Sequence, residues 1–276
     1  MTAGVRAGRF PALWMQTEMI EDSQLSVAES DAVDALSAQD AVGPMYPPLY
    51  RAPVMLSSRD HARWRLLPGD AAFAAASHAV PLVLGEFAAA ARCYPLVFVG
   101  EEAAPVAVLG LEAEHNRFVV ADRWQSGAYV PAYVRRYPFV FARTAQPEGY
   151  ALAIDADAAM LRTEGDEGQP LFEADGQPSG LTRQALQFCE AFTSEAAATA
   201  AFSAQLLASG VLVDRQADVE RADGRTSSLL GFQVVDPDRF AALPEATVIA
   251  WHRQGWLAPL HFHLASLARF NDLLNG

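Results

Sequence analysis

The stretch PLVFVGEEAAPVAVLGL, residues 95–111, decides the fold class. Two apolar runs flank the polar turn GEEAA. Each run is four to seven residues long and rich in β-branched side chains, which fits a buried strand better than a helix. The turn is too short to hold a crossover helix, so the two strands pair antiparallel, as a hairpin. Upstream, PVMLSS, WRLL and VPLVL read as further short strands. A short helix is predicted over Gly85–Arg92, ending ahead of Pro95 because the residue before a proline resists helical geometry. Downstream, RFVV, PFVFA and YALAID are strands, and PAYVRRY is a helix of about two turns.

Beyond the glycine-rich loop EGDEGQPLFEADGQPSG the pattern turns helical. LTRQALQFCEAF places Leu181, Leu186, Cys189 and Phe192 on roughly one face. Ser194 reads as the cap of a continuing helix and Gly210 as its stop. GVLVDR and LLGFQVVD are strands joined by a polar connection. DPDRFAAL is a short helix capped by Asp236 with Pro237 at its first position. The chain closes on helical GWLAPLHFHLASLARFNDLL. Regular βαβ alternation is absent. The expectation is therefore an α+β fold, with a mixed, mainly antiparallel sheet in the N-terminal half and helices concentrated in the C-terminal half.

The bulk numbers narrow the chemistry. The 276 residues carry a formal charge of −13, and all 20 cationic side chains are arginine. Without lysine there is neither a Schiff-base nucleophile for pyridoxal phosphate nor a P-loop lysine for nucleotide phosphates. The acidic balance opposes nucleic-acid binding and docking on anionic lipid. No apolar run approaches the roughly 18 residues of a membrane span. Cys93 and Cys189 form no CxxC and suit a reducing compartment, with a disulfide between them as the weaker alternative. No adequate apolar stretch follows the N-terminus to make a signal peptide, so a cytoplasmic protein is expected.

Residues 1–44 differ from the rest. TEMIEDSQLSVAESDAVDALSAQDAVG holds seven acids and no base. It reads as a disordered or loosely helical extension, with a short amphipathic helix near Leu25–Leu36 as one form. Met45 is a plausible true start, leaving 45–276 as a single globular domain.

Among chemistry-bearing groups, YVPAYVRRYPFVF (residues 129–141) stands out for arginines among aromatics. Tyr133 and Tyr137 share a helical face with Arg136 near it, while Arg135 points elsewhere. The functional reading is a carboxylate or phosphate clamp; the structural one is a packed joint, and we favour a joint that also lines the main pocket. Glu86 reads as a helix cap, or as a buried carboxylate partnered by an arginine of that segment. No histidine pair has zinc spacing, and on a helix His261 and His263 lie about 200° apart. Asp155 and Asp157 have metal-ligand spacing but read as a strand end. Trp251 and Trp256 read as core. No cofactor is expected.

Taken in order, PLYRAPVMLSSRDHARWRL, VPLVLGEFAAAARCYPLVFV, PVAVLGLEAEHNRFVV, RWQSGAYVPAYVRRYPFVF, QPLFEADGQPS, LLGFQVVDPDRFAAL and GWLAPLHFHLASLARF resemble the SapC family of bacterial proteins, from about Met45 onward. The resemblance implies a protein without an established reaction, associated with outer-membrane receptor and nutrient-uptake systems. It singles out His61, Glu86, Arg92, Tyr94, Asn116, Trp124, Tyr133, Arg135, Arg136 and His263 as ligand-binding candidates. His261 departs from the family pattern, where an aromatic is expected. The first expectation is a binding or accessory protein that recognises a peptide, protein or small acidic ligand through the Tyr129–Phe141 face, with Arg135 or Arg136 as anchor and a protein or peptide of an outer-membrane uptake or modification system as its partner. The second is an enzyme or enzyme subunit modifying a peptide or envelope component, with His61, Glu86 and His263 converging and a metal among them as one form. The third is a component of surface-layer export or assembly.

Overall fold

The computed structural model describes residues 8–9, 47–143, 150–220 and 226–275. The first half of the chain supplies β1 (Gly8–Arg9), β2 (Pro53–Met55), β3 (Arg65–Leu66), β4 (Ala79–Pro81) and α1 (Phe87–Ala90). β5 (Leu96–Val99), β6 (Ala104–Val108), β7 (Val119–Val120), β8 (Arg123–Trp124) and α2 (Ala132–Arg135) follow. Then come β9 (Phe139–Arg143), β10 (Tyr150–Asp155), β11 (Leu161–Arg162) and β12 (Gln169–Pro170). The second half holds α3 (Gly180–Ser209), β13 (Leu212–Glu220), β14 (Thr226–Val235), α4 (Pro237–Ala241), α5 (Glu245–Gln254), α6 (Leu257–Ser266) and α7 (Phe270–Asn275). This is the expected α+β arrangement, with antiparallel sheets and helices concentrated C-terminally.

The 95–111 stretch forms the hairpin β5–β6, with Leu96 opposite Ala107 and Val99 opposite Ala104. It lies inside the main sheet, ordered β1-β14-β5-β6-β4, with β13 pairing β14. All pairings in this sheet are antiparallel except that of β1 with β14. Both faces of the hairpin are covered, which explains its unbroken apolar runs. Leu96, Phe98 and Ala107 join Phe202 and Leu206 of α3, Trp251 and Leu260 in one core. Val97, Val99, Ala104, Val106 and Val108 turn the other way, against Phe232, Phe270 and Leu273. Full burial of such a side chain stabilises by about 1.5–3 kcal/mol. A second sheet, β2-β10-β9, and a small third one, β11-β3-β12, enclose a separate apolar cluster around Ile154, Leu171 and Cys189.

Several local expectations change. Helix α3 runs unbroken for 30 residues from its cap Ser179, whose Oγ accepts from the Thr182 N–H, to Gly210 at φ 68°. Ser194 therefore sits inside it rather than capping a new helix. No proline or glycine interrupts Leu181–Ser209, and alanine-rich sequence carries a helix through. Leu186 is exposed; Leu181, Ala185, Cys189 and Phe192 face inward instead. Helix α2 is one turn, not two, because Pro138 follows so closely. Helix α5 carries no sequence stripe to find, since only Trp251 of its ten residues is buried. Trp251 and Trp256 pack in the core as expected. Gly8–Arg9 pairs as a strand with Leu229–Leu230, neither disordered nor helical. The remainder of the 1–44 extension, including the Leu25–Leu36 helix, lies outside the described residues.

Candidate functional site

Residues 129–141 lead from β8 through α2 into β9, and their two arginines take opposite roles. Arg136 is buried. Its guanidinium lies 4.5 Å from the centroid of the Tyr133 ring, 4.4 Å from Phe192 and 5.7 Å from Tyr50. The flat cation stacks on these faces, which holds α2 against α3 and the segment before β2. Arg136 is thus unavailable as a ligand anchor, and that expectation is corrected. Tyr133 is buried beside it, with its hydroxyl donating to the Pro48 carbonyl. Arg135 is exposed, on the far side of the turn, as its spacing required.

Arg135 is held in place from below. Its Nε donates to the Val130 carbonyl at 3.0 Å and its Nη2 to the Tyr129 hydroxyl at 3.1 Å. The guanidinium also lies over the Tyr129 and Phe188 rings. Tyr129 in turn donates to Glu86 Oε1 at 2.9 Å. Glu86 is buried and accepts two backbone N–H groups besides, Val83 to Oε2 at 3.1 Å and Ala132 to Oε1 at 2.5 Å. One carboxylate therefore caps both the 3-10 turn that precedes α1 and the start of α2. Burial raises its pKa above the usual carboxylate value, opposed by these hydrogen bonds and by the Arg135 charge. Both sequence readings of Glu86 describe it: a cap, and a buried acid linked to Arg135 through Tyr129.

Beside Arg135 opens a cleft of about 630 Å³. Trp124, Val130, Val134, Arg123, Tyr137 and Met160 line it, together with the segment Leu66–Ala71 and Phe73. A second hollow of about 440 Å³ continues from it past Met160 and takes in Arg51, Asp157 and Arg162. The chain is strongly acidic, yet the two linings contain four arginines against two aspartates. One of these, Asp70, accepts the Ala72 N–H at 3.0 Å and caps its own turn.

Of the ten residues singled out by the sequence, only Trp124 and Arg135 line this cleft. Tyr94 lies just beneath, accepting from Trp124 Nε1 at 3.1 Å and donating to the Tyr129 carbonyl. Burial pushes its pKa up, which keeps it a neutral donor. Arg92 is exposed at the end of α1. Asn116 is buried and ties its loop together, Nδ2 donating to Ala74 O at 3.0 Å and Oδ1 accepting the Phe118 N–H at 2.9 Å.

The three groups required by a metal enzyme do not converge. His61 Nδ1 accepts the Ser57 N–H at 3.0 Å and its ring packs on Trp64. His263 is fully buried in α6, its Nδ1–H donating to Leu96 O at 2.9 Å and its Nε2 accepting the Val235 N–H at 3.0 Å. Both nitrogens thus stitch α6 to β5 and β14, with none left for a metal. Asp155 is also spent on structure, accepting from the Ala52 N–H at 2.8 Å, the Arg51 N–H at 3.2 Å and the Tyr137 hydroxyl at 3.0 Å. Among the described residues no group of three or more His, Cys, Asp or Glu side chains could hold a metal ion.

The SapC family model matches residues 56–273, most of the chain. The chain belongs to the SapC family. The match begins 11 residues after Met45, where the resemblance was expected to start. Neither the curated proteins nor the solved structures gave a match. Among the described residues, no helix of this SapC chain is long and apolar enough to cross a membrane.

The cleft's other charged residues, Arg51, Arg123 and Arg162, escaped the sequence reading. Their one sequence signal was an arginine beside a turn or a strand end in an acid-rich chain. Met160 and Phe73 carried no signal, because a loop 87 residues away supplies the facing wall.

Proposed function

We propose that this SapC chain is a binding or accessory protein whose ligand presents a carboxylate or phosphate to the cleft beside α2, with Arg135 as anchor. One observation carries this reading: the arginine-rich lining inverts the sign of an otherwise acidic chain. Fields focused in a cleft of opposite sign raise the local concentration of anions. Two of Arg135's five N–H donors are used below it, which leaves three for a ligand, with the side chain already ordered. An ordered anchor loses less entropy on binding. Trp124 and Tyr137 add aromatic walls for an apolar portion. The protein's service to an envelope or outer-membrane uptake system is part of this reading, and SapC family membership is what supports it. Cys93 and Cys189 form no disulfide, which accords with a cytoplasmic location.

The test is thermal unfolding of wild type and Arg135→Ala against a panel of organic carboxylates, organic phosphates and matched neutral alcohols. A ligand that binds only the native state raises Tm. Acids are expected to raise Tm in wild type alone, and neutral analogues in neither. Equal shifts in both proteins, or no shift with any acid, would overturn the assignment.

A further inference from the structure

We propose that the ligand carries two anionic groups separated by an apolar middle, a dicarboxylate being the simplest member. This rests on the anion-binding reading above and adds a second subsite to it.

The argument is one of placement. The two hollows share a wall of Leu67, Pro68, Gly69, Phe73, Tyr137 and Met160 and one acid, Asp70, whose carboxylate is engaged by the Ala72 N–H. Arg123 and Arg135 line only the larger hollow. Arg51 and Arg162 line only the smaller one. One cationic pair therefore lines each hollow, the smaller also holding Asp157, and the wall the two hollows share is apolar apart from Asp70.

This shared waist is packed rather than accidental. The Phe73 and Tyr137 rings stack at 4.1 Å with an interplanar angle of 18°. The Tyr137 hydroxyl is engaged by Asp155, so it is not left as a polar group for the ligand. Met160 closes over Gly69 so tightly that a β-carbon there would lie 2.7 Å from its terminal methyl. A thioether of this kind adapts to an alkyl chain laid across it.

The far subsite is preorganised like the near one. Arg162 Nη1 donates to the Ala159 and Leu161 carbonyls, each at 2.9 Å, which orders its guanidinium. Arg51 is exposed beside it, with its backbone N–H held by Asp155. A molecule with a single acidic end engages one cationic pair. A molecule with two reaches both, and gains a second set of charge-assisted hydrogen bonds on one association.

The experiment is calorimetric titration of the full chain with straight-chain dicarboxylates of increasing length, from succinate to sebacate, and with the monocarboxylates of equal length. An optimum length is expected, at which the dicarboxylate binds about tenfold or more tighter than its monocarboxylate. Arg51→Ala should bring the dicarboxylate down to the monocarboxylate's affinity and weaken the monocarboxylate about threefold at most. Arg135→Ala should weaken both. Equal affinities at every length, or a dicarboxylate preference that survives in Arg51→Ala, would remove the second subsite and leave the first standing. Failure of every acid to bind would remove both.

Discussion

Glu86 and Tyr129 are 43 residues apart in the chain and joined by a 2.9 Å hydrogen bond from the phenol to the carboxylate. That bond closes a relay from the buried acid through the phenol to the exposed Arg135. The relay ties the turn before α1 to the turn before α2, and so sets where Arg135 stands over the cleft. A cap thereby becomes part of a binding wall without touching any ligand itself.

Glu86→Ala should cost about 3 kcal/mol, because it strands the Val83 and Ala132 N–H groups in the interior. Tyr129→Phe should cost about 1 kcal/mol, the net worth of an ordinary hydrogen bond. It should also raise the Glu86 pKa further, since the phenol's hydrogen bond lowers it now. A carboxyl with a raised folded pKa gives its full stability below its unfolded value of 4.5 and loses it as pH rises through the folded one. The Tyr129→Phe deficit should therefore be larger at neutral pH than at about pH 4. Urea melts at the two values check it; a deficit independent of pH would refute the relay.

Arg135→Ala and Arg136→Ala should separate cleanly. Arg136 is buried among Tyr50, Tyr133 and Phe192, and its loss should destabilise by about 3 kcal/mol. Arg136→Lys should recover little, because an ammonium cannot stack as a guanidinium does. Arg135→Ala should change stability by about 0.5 kcal/mol or less while weakening acid binding. Chemical melts paired with the carboxylate titration read both effects, and the reverse pattern would exchange the two roles.

Two glycines predict opposite outcomes. At Gly110 a β-carbon would lie 2.0 Å from the His115 carbonyl oxygen, which is backbone in the loop that Asn116 anchors to Ala74. Gly110→Ala should cost about 3 kcal/mol or more, because that loop cannot yield cheaply. At Gly69 the obstacle is the flexible end of Met160. Gly69→Ala should cost about 1 kcal/mol or less and instead narrow the waist of the cleft. Comparative melts, with dicarboxylate titration of Gly69→Ala, distinguish the two.

The hairpin 95–111 was legible because burial on both faces leaves an apolar run that only paired strands explain. The faces of residues 133–137 were legible too, since spacing alone turns Arg135 about 100° away from Arg136 even on one helical turn. What spacing could not tell was which face met the interior. The richer aromatic surface, Tyr50 and Phe192, comes from distant segments, and it drew Arg136 inward. The same limit hid Arg51 and Arg162, which reach the cleft through the β10–β2 and β11–β3 pairings. Family motifs pointed to His61 and His263 as chemistry, whereas each completes the hydrogen bonding of nearby backbone.

His263 supplies the pH prediction of largest size. Burial lowers its pKa from 6.5 to about 4, because the desolvated ring resists charging, and the hydrogen bond from Nδ1 to the Leu96 carbonyl opposes that shift only in part. A histidine with a depressed folded pKa gives its full stability above the unfolded value and loses it as pH falls. The window runs from about 6.5 down to about 4, where the unfolded chain takes up a proton that the folded chain refuses. The group's share of the loss is about 3 kcal/mol. His263→Leu should be about 3 kcal/mol less stable at neutral pH, with the Val235 N–H and Leu96 carbonyl left unpaired. It should also lose much less between pH 6.5 and pH 4 than wild type does. Urea melts across that range decide the matter: parallel curves for the two proteins would mean that His263 does not stay neutral in the folded chain.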